Sequence, residues 1–329
     1  MTAIAILGSS GHTARLVIEH VLQRGWEILL ATRDGSWADR QGEERSCRRL
    51  DFDNPQKLAA AIAGADAVVN CAGPYLDTGL AAARASIAAG IPYLDMTAEQ
   101  EAASTLFTQL DREARTAQTL VIPAMGFFGS LADLLATSLI KTGEEVADIA
   151  VAVDLDYWHP TRGTRLTGER NTFPRMVVRQ SQRVGLPVYD AMTEWHFPDG
   201  CEPVQVRIVP LSEIILLSQH IDAQSVTSYM TEKPLDDLAD PDTPPPQASS
   251  APQRFTVDVR VTDLAGRHRR ATARGQDIYA VTAPLIVTAL ERVLSPAFAE
   301  VGVRAPGEIF EARPFLNSLA PHLRVEYAL

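Results

Sequence analysis

The sequence predicts an α/β fold: a doubly wound parallel sheet followed by a second, α+β domain built on an antiparallel sheet. Up to about residue 142, short apolar runs alternate with amphipathic stretches, which is the pattern of successive strand–helix–strand units. Beyond residue 145, apolar side chains recur at every second position, as in residues 149–157 and 255–261. This period of two is typical of half-buried antiparallel strands.

Six strands and five helices are predicted in the first part of the chain. The strands cover residues 3–7, 27–31, 49–52, 67–71, 93–95 and 119–123, and the helices cover 14–22, 55–63, 79–89, 99–117 and 131–141. The first helix carries an apolar stripe that includes Val17, Ile18 and Val21, and Gly25 ends it. Because helices separate the strands, the carboxyl ends of the strands meet at one edge of the sheet.

The second part of the chain is predicted to contain further strands at 204–209, 214–220 and 226–231 and a helix at 278–294. Residues 233–253 hold six prolines among Asp and Ser, which predicts a surface loop, with a lid as the alternative. The expected domains are residues 1–142, residues 143–275, and a C-terminal helix and tail at 276–329.

Composition and charge exclude several function classes. The 329 residues suffice for about two domains, and a net charge of −11 disfavours a nucleic-acid partner. No apolar run approaches the roughly 20 residues that span a bilayer, and no secretion signal opens the chain, so we expect a cytoplasmic protein without a membrane partner. Cys47, Cys71 and Cys201 are far apart and odd in number, which predicts neither a disulfide framework nor a metal site.

A glycine-containing loop lies between the first strand and the first helix. It comprises Gly8, Ser9, Ser10, Gly11, His12 and Thr13. In this context Gly8 permits a tight turn, Gly11 lets the backbone approach a pyrophosphate, and the helix N-terminus offers unpaired N–H groups. The loop therefore predicts a dinucleotide site of the Rossmann type; the alternative is a strand–helix turn without a ligand.

The second strand ends with Thr32 and Arg33, where an acidic residue would bind the ribose of NAD. A guanidinium at this position suits a 2′-phosphate, so NADP(H) is the expected cofactor. The alternative is that Arg33 is an ordinary surface residue beside Asp34. After the third strand, Asp53 either flanks the adenine or caps the helix that begins near Pro55.

Small residues at three further strand ends are expected to line the crevice that holds the dinucleotide. The fourth strand ends with Cys71, Ala72, Gly73 and Pro74, the fifth leads to Thr97, and the sixth leads to Gly126 and Phe127.

Six segments of the chain together carry a family resemblance: GSSGHTA, VVNCAGPYLDTG, GIPYLDMTAE, VIPAMGFFGSLADLLA, PTRGT and GQDIYAVTA. They resemble the saccharopine dehydrogenase-like oxidoreductases. The family includes saccharopine reductase, carboxynorspermidine dehydrogenase and the trans-acting enoyl reductases. The resemblance implies a Rossmann domain that binds NADP(H), a second domain for substrate contacts and dimerisation, and a C-terminal helix that returns to the first domain. Phe128 and Leu131 stand where the family often has Asp and Pro, which predicts a more apolar substrate pocket.

Three side chains are candidates for catalysis. Tyr75 follows the fourth strand and is a candidate proton donor, with a packing role as the alternative. His159 and Arg162 lie on a turn that leaves a strand of the second domain, where they face either the crevice or solvent. Arg162 is a candidate for holding an anionic substrate group.

The function predicted from these residues and from the resemblance is that of an NADP(H)-dependent oxidoreductase. It transfers hydride to an imine C=N, an activated C=C or a C=O of a small metabolite, as imine and enoyl reductases do. The alternative is a non-catalytic NADP(H)-binding regulator that uses its second domain for a partner. We also expect a homodimer, because an exposed apolar face of the second sheet would need a partner.

Overall fold

The computed structural model describes residues 1–39, 42–186, 192–198, 200, 202–247 and 252–328. Its first part alternates strands and helices. In chain order these are β1 (Ala3–Leu7), α1 (His12–Gln23), β2 (Glu27–Thr32), β3 (Cys47–Arg49), α2 (Pro55–Ile62), β4 (Ala67–Asn70), α3 (Tyr75–Ala89), β5 (Tyr93–Asp95), α4 (Gln100–Thr116), β6 (Leu120–Ile122) and α5 (Ser130–Thr137).

The second part is richer in strands. It contains β7 (Val146–Leu155), α6 (Arg162–Arg170), β8 (Met176–Arg179), β9 (Gln182–Gly185), β10 (Met192–Trp195), β11 (Val204–Ile208), α7 (Ser212–His220), β12 (Ala223–Thr231), α8 (Glu232–Ala239), β13 (Arg254–Asp263), β14 (His268–Gln276), α9 (Thr282–Val293), β15 (Gly302–Val303), α10 (Pro306–Ile309), α11 (Ala312–Asn317) and β16 (Leu323–Ala328).

The first sheet is parallel, with strand order β15-β6-β5-β4-β1-β2-β3. The chain moves outward from β1 to β3 on one side and from β4 to β6 on the other, so the order reverses between β1 and β4. Ligands of open parallel sheets bind at such a switch point, beyond the carboxyl ends of the strands. The doubly wound sheet predicted from the sequence is confirmed.

The second sheet is mixed, whereas the sequence predicted an antiparallel one. Its main path runs β10-β11-β12-β7-β13-β14-β16, and β8 and β9 extend it from β12. Strand β7 is antiparallel to β13 and parallel to β12. The parallel pair is possible because a long crossover separates the two strands in sequence.

Three segments differ from the sequence predictions. Residues 214–220, predicted as a strand, belong to helix α7, because periodicity cannot distinguish a short buried apolar run in a helix from one in a strand. The predicted loop at 233–253 includes most of helix α8, and its residues 248–251 lie outside the described part, as does Cys201. The tail adds β15 to the first sheet and β16 to the second.

One hydrophobic core joins the two sheets. It includes Ile4 of β1, Val17 of α1, Leu134 of α5, Val151 of β7 and Leu285 of α9. Helix α9 packs against α1, which brings the C-terminal region back to the first sheet. The shared core fixes the second sheet beside the carboxyl ends of the first. Among the described residues, no helix has the length and apolar character needed to cross a bilayer.

Candidate functional site

The loop after β1 is shaped by a close approach to the end of β4. Gly8 has φ of +72°, and a Cβ there would lie 2.7 Å from the Cα of Ala72. The amides of Gly8 and Ser9 both donate to the carbonyl of Ala31, at 2.9 and 3.3 Å. Only glycine fits the first position without strain.

The N-terminus of α1 is open for an anion. Gly11 is the N-cap and supplies no capping side chain. Its carbonyl accepts the first hydrogen bond of the helix, from the Arg15 amide at 3.1 Å. The amides of His12 and Thr13, in the first turn, therefore have no partner within the helix and lie at the positive end of its dipole. This cradle of unpaired amides and small residues fits a pyrophosphate.

The two serines of this loop occupy different environments. Ser10 is exposed at the open side of the loop. Ser9 is fully buried, its hydroxyl contacts the carbonyl of Ala31, and its own carbonyl accepts from the Trp37 indole at 2.9 Å. The Ser9 side chain thus supports the loop from behind.

The end of β2 presents positive charge to solvent. Thr32 is buried and donates to the Asp34 carboxylate at 2.8 Å, which lowers the pKa of Asp34. Arg33 is exposed and forms no hydrogen bond or ion pair with the described residues. Arg49, which the sequence analysis did not identify, lies beside Gly35. A Cβ added to that glycine would be 3.6 Å from the Cβ of Arg49. Two exposed arginines thus lie at one turn.

Asp53 does not cap α2. The N-cap is Asn54, whose side-chain oxygen accepts from the amide of Lys57 at 3.0 Å. Asp51 instead accepts from the Asp53 amide and pairs with the Lys57 ammonium. The capping alternative for Asp53 is therefore wrong, and its side chain is exposed beside the adjacent turn.

A buried hydrogen-bond network fixes the loop after β4. Asn70 accepts from the Ala72 amide and donates to the Tyr93 hydroxyl, which donates to Asp95 at 2.9 Å. Thr78 donates to the Ala72 carbonyl at 2.6 Å. Burial raises the pKa of Asp95 to about 6 and holds the pKa of the neighbouring Cys71 thiol far above its ordinary value.

Tyr75 begins α3, directly after Gly73 and Pro74. Its amide and that of Leu76 donate to the two carboxylate oxygens of Glu99, both at 2.8 Å. Burial, with the nearby Cys71, Asp95 and Glu99, raises the pKa of the Tyr75 phenol well above its ordinary value. Burial also raises the pKa of Glu99. Burial thus disfavours the charged form of both groups, while the two amides partly offset this effect at Glu99.

The ends of β5 and β6 meet the second domain. Thr97 is buried, and its carbonyl accepts from the Ser212 hydroxyl of α7 at 2.9 Å. A Cβ on Gly126 would lie 3.0 Å from the Cβ of Met96, so the two segments pass closely. The Phe127 amide donates to the Thr282 hydroxyl of α9 at 3.1 Å.

Tyr279 joins the dinucleotide loop to the start of α6. Its buried hydroxyl accepts from the Trp158 indole at 2.9 Å and the Thr161 amide at 3.2 Å, and lies 3.0 Å from the Thr164 hydroxyl. Its ring meets the His12 ring edge-on, with centroids 5.3 Å apart. The N-terminal end of α6 is therefore held close to the loop after β1.

The other end of α6 lies over the loop after β4. A Cβ on Gly73 would lie 3.5 Å from the Thr167 hydroxyl, and the Thr167 side chain partly offsets the rise that burial causes in the pKa of Glu99. Arg170 pairs with Asp77 of α3 at 2.6 Å. Helix α6 therefore covers the crevice from the loop after β1 to the loop after β4, although none of its own residues is buried.

His159 and Arg162 lie on this roof. The His159 ring is half-buried against Tyr157, with centroids 4.6 Å apart, and its carbonyl lies 3.5 Å from the Tyr279 hydroxyl. Arg162 is exposed at the first position of α6 and forms no bond with the described residues. Neither side chain contacts Tyr75 in the structure.

An aromatic cluster closes the inner side of the crevice. Phe127 packs edge-on against Phe128 and Phe255, and Phe128 packs against Trp158 at 5.6 Å. A cavity of about 10 Å³ lies behind Phe128 and is bordered by Glu213. That volume holds about one water molecule, so a substrate must enter the crevice itself. In the described ranges no cluster of His, Cys, Asp and Glu could hold a metal ion.

Sequence reasoning missed Glu99 and Tyr279 as site residues. Both lie within motifs that carry the family resemblance, GIPYLDMTAE for Glu99 and GQDIYAVTA for Tyr279, so these motifs were the available signal. Their roles depend on contacts across 24 and about 120 residues of sequence, which local patterns do not report.

Comparison with known proteins agrees with this geometry. Residues 4–125 match the family model of the saccharopine dehydrogenase NADP-binding domain. No curated protein sequence matches the chain. Apo saccharopine dehydrogenase (L-Glu forming) from Saccharomyces cerevisiae superposes with a TM-score of 0.69 at 12% identity, covering 100% of both chains. Homospermidine synthase from Legionella pneumophila, solved with NAD, gives 0.70 at 10% identity, covering 99% of this chain and 91% of that one.

The two structural matches establish the fold over the full length, and the family model establishes the cofactor class. The expectations of a doubly wound fold, of this family resemblance and of a nicotinamide dinucleotide cofactor are confirmed. Residues 4–125 thus match the model of an NADP-binding domain of the saccharopine dehydrogenase type.

Proposed function

We propose that this protein is an NADP(H)-dependent reductase that delivers hydride to an imine C=N or an activated C=C of a small metabolite. The observation that carries the proposal is the roofed crevice: α6 covers the strand ends and contacts the loops after β1 and β4 through Tyr279 and Thr167. A dinucleotide site that only stores a ligand has no need of such a cover, whereas hydride transfer benefits from the exclusion of water.

The chain's own residues have separate roles in this proposal. The first-turn amides of α1, including that of His12, hold the pyrophosphate, and Arg33 with Arg49 holds the 2′-phosphate. The bound dinucleotide supplies the hydride. Phe128 and Trp158 keep the reacting region apolar, which favours a substrate without bulky charge at the reacting bond.

Proton delivery is assigned to Tyr75. Its phenol is buried at the start of α3, next to the end of β4. In this proposal the dinucleotide extends across the strand ends, and its nicotinamide lies at this one. A phenol, with an ordinary pKa of about 10, carries its proton at neutral pH, as a donor requires. Glu99, which binds the amides of Tyr75 and Leu76, positions this residue.

The test is NADPH oxidation, followed at 340 nm, by the purified protein with a panel of imines, enoyl compounds and ketones. We expect turnover with members of the imine or enoyl classes and much slower turnover with NADH. A second test uses the Tyr279→Phe variant, which loses the hydroxyl that anchors α6 and should turn over more slowly than wild type while retaining NADPH binding.

Binding of NADPH without turnover of any compound in the panel would contradict the proposal. That result would favour a non-catalytic regulator.

A further inference from the structure

A buried tryptophan connects the segment after β2 to the loop after β1. The Trp37 side chain is buried, and its indole Nε1 donates to the Ser9 carbonyl at 2.9 Å. Ser9 belongs to the loop that fits a pyrophosphate, and its amide donates to the Ala31 carbonyl at 3.3 Å. The indole therefore binds the backbone of the dinucleotide loop directly.

Arg15 of α1 makes a second connection to the same segment. Its guanidinium lies 5.6 Å from the centroid of the Trp37 ring, within the range of a cation–π contact, and its Nη1 donates to the Ala38 carbonyl at 2.8 Å. The Arg15 amide donates to the Gly11 carbonyl at 3.1 Å, at the start of the helix. Residues 37 and 38 are thus attached both to the loop after β1 and to the first turn of α1.

The turn after β2, residues 33–36, directly precedes Trp37 in the chain. The Gly35 amide donates to the Thr32 hydroxyl at 3.1 Å, which closes the turn on the end of the strand. Arg33 is exposed in this turn and forms no hydrogen bond or ion pair with the described residues. One side of the turn is therefore fixed by β2, and the other side is fixed by the contacts of Trp37.

NADP(H) presents its pyrophosphate and its 2′-phosphate to two different segments at the same time. The loop after β1 receives the first group and the turn after β2 receives the second, so both bind well only when the two segments are held at the matching separation. Holding them there before binding reduces the entropy that the ligand must remove. NADH has no 2′-phosphate and makes no such demand on the turn.

We propose that Trp37 is a positioning residue for cofactor specificity, which holds the turn that carries Arg33 at the separation from the loop after β1 that a 2′-phosphate requires. This inference rests on the proposed function, in which Arg33 binds the 2′-phosphate, and adds a residue that acts through it. An indole with a purely structural role would contribute to folding stability without changing the ratio of the two cofactor affinities.

The experiment is calorimetric titration of NADPH and NADH into wild type and Trp37→Phe, which keeps an aromatic ring and removes the indole donor. The ratio of the NADH to the NADPH dissociation constant should fall about threefold to tenfold, the effect of losing one hydrogen bond, mainly because NADPH binds more weakly. In the Arg33→Ala background the same substitution should leave the ratio unchanged, because the two residues act on one group. The control Trp26→Phe, directly before β2 and at its opposite end, should keep the wild-type ratio.

Two results would overturn the inference: an equal effect of Trp37→Phe on both cofactors, or a change in the ratio that is the same with and without Arg33. If Trp37→Phe does not fold, Arg15→Met decides, because it removes the guanidinium beside the indole and keeps an aliphatic side chain. It should lower the ratio by a smaller factor, and an unchanged ratio would overturn the inference. These measurements need no turnover. Preference for NADPH without reduction of any compound in the panel would contradict the proposed function alone, whereas wild type without that preference would contradict the inference.

Discussion

At the scale of single residues, the turn after β2 concentrates positive charge where the adenosine end of a dinucleotide lies. Arg33 and Arg49 are both exposed there, and Arg33 has no partner among the described residues. The carboxylate of Asp34 is held by Thr32 and by the Ser36 amide, at 2.8 and 3.2 Å. The acidic neighbour is thus engaged locally, and the guanidinium groups are left for a phosphate.

Replacing Arg33 with Ala should therefore change cofactor preference. We expect NADPH binding to weaken by about 1.5–3 kcal/mol, the range for a hydrogen bond to a charged group, and NADH binding to stay nearly constant. Fluorescence titration of both cofactors measures this. The Arg112→Ala variant, which removes an exposed charge from α4, is the control. Equal losses for the two cofactors would show that Arg33 does not read the 2′-phosphate.

Tyr75 offers a second test at this scale. Removing its hydroxyl in Tyr75→Phe should lower kcat by about a hundredfold or more, the usual effect of losing a proton donor, while the dissociation constant of NADPH stays the same. Stopped-flow measurement of NADPH oxidation with a substrate from the panel gives both quantities. Wild-type turnover by this variant would mean that Tyr75 is a packing residue and that His159, another side chain or solvent supplies the proton.

At the scale of elements, three helices meet at a buried ion pair. Asp133 of α5 is fully buried, contacts His220 of α7 at 2.7 Å and accepts from the Gly307 amide of α10 at 2.6 Å. Burial alone would lower the pKa of His220, but Asp133, with a smaller contribution from Glu308, raises it overall. The protonated imidazole therefore stabilises the folded chain.

The sign of this pH dependence follows from the raised pKa. Stability from the pair is fully present below the ordinary histidine pKa of about 6.5 and is lost as pH rises through the higher folded-state value. His220→Ala should cost about 3–5 kcal/mol of unfolding free energy at pH 6, because it leaves a buried carboxylate unpaired. Urea unfolding at pH 6 and pH 9 measures the change. A cost that grows with pH would contradict this account.

The elements also show which features a sequence can predict. The strands of the first sheet follow from apolar runs bounded by glycine turns, and their shared edge follows from the helices between them. Helix α7 could not be predicted, because Ile214–Leu217 is a continuous apolar run, and its helical state depends on burial between the two sheets. Strand β16 pairs with β14 from about 50 residues away, and the Gln100 side chain binds the Met176 amide across 76 residues of sequence. No local pattern encodes such pairings.

At the scale of the whole molecule, one face of the second sheet packs into the shared core, and the other carries a smaller cluster of Ala152, Trp195 and Val206 beside charged residues. Val257 and Val259 of β13 enter the shared core. The alternate residue Asp258 is buried on the opposite face, where it accepts from Arg270 at 2.6 Å, from the Trp195 indole at 2.8 Å and from Thr272 at 2.8 Å. The apolar side chains of β13 are thus buried inside the molecule and not exposed. An exposed apolar sheet face, the reason that the sequence analysis offered for expecting a homodimer, is therefore wrong at this strand.

The homodimer itself remains a prediction, and the family resemblance now carries it. Because Arg260 and Arg270 lie beside Asp258 on the face away from the core, an interface there would include ion pairs, which salt weakens. We expect light scattering at micromolar concentration to give twice the chain mass in low salt and a lower average mass at high salt. A monomer under both conditions would contradict the prediction.

The central claim is that one crevice, formed by the first sheet and roofed by α6 of the second domain, binds the dinucleotide. Hydrogen–deuterium exchange with and without NADPH tests it most directly, because ligand contact slows the opening of backbone amides. We predict slower exchange in residues 8–15, in residues 70–78 and in α6, with no change in β14 on the far side of the second sheet. Protection of the two loops while exchange in α6 stays unchanged would contradict the roofed site.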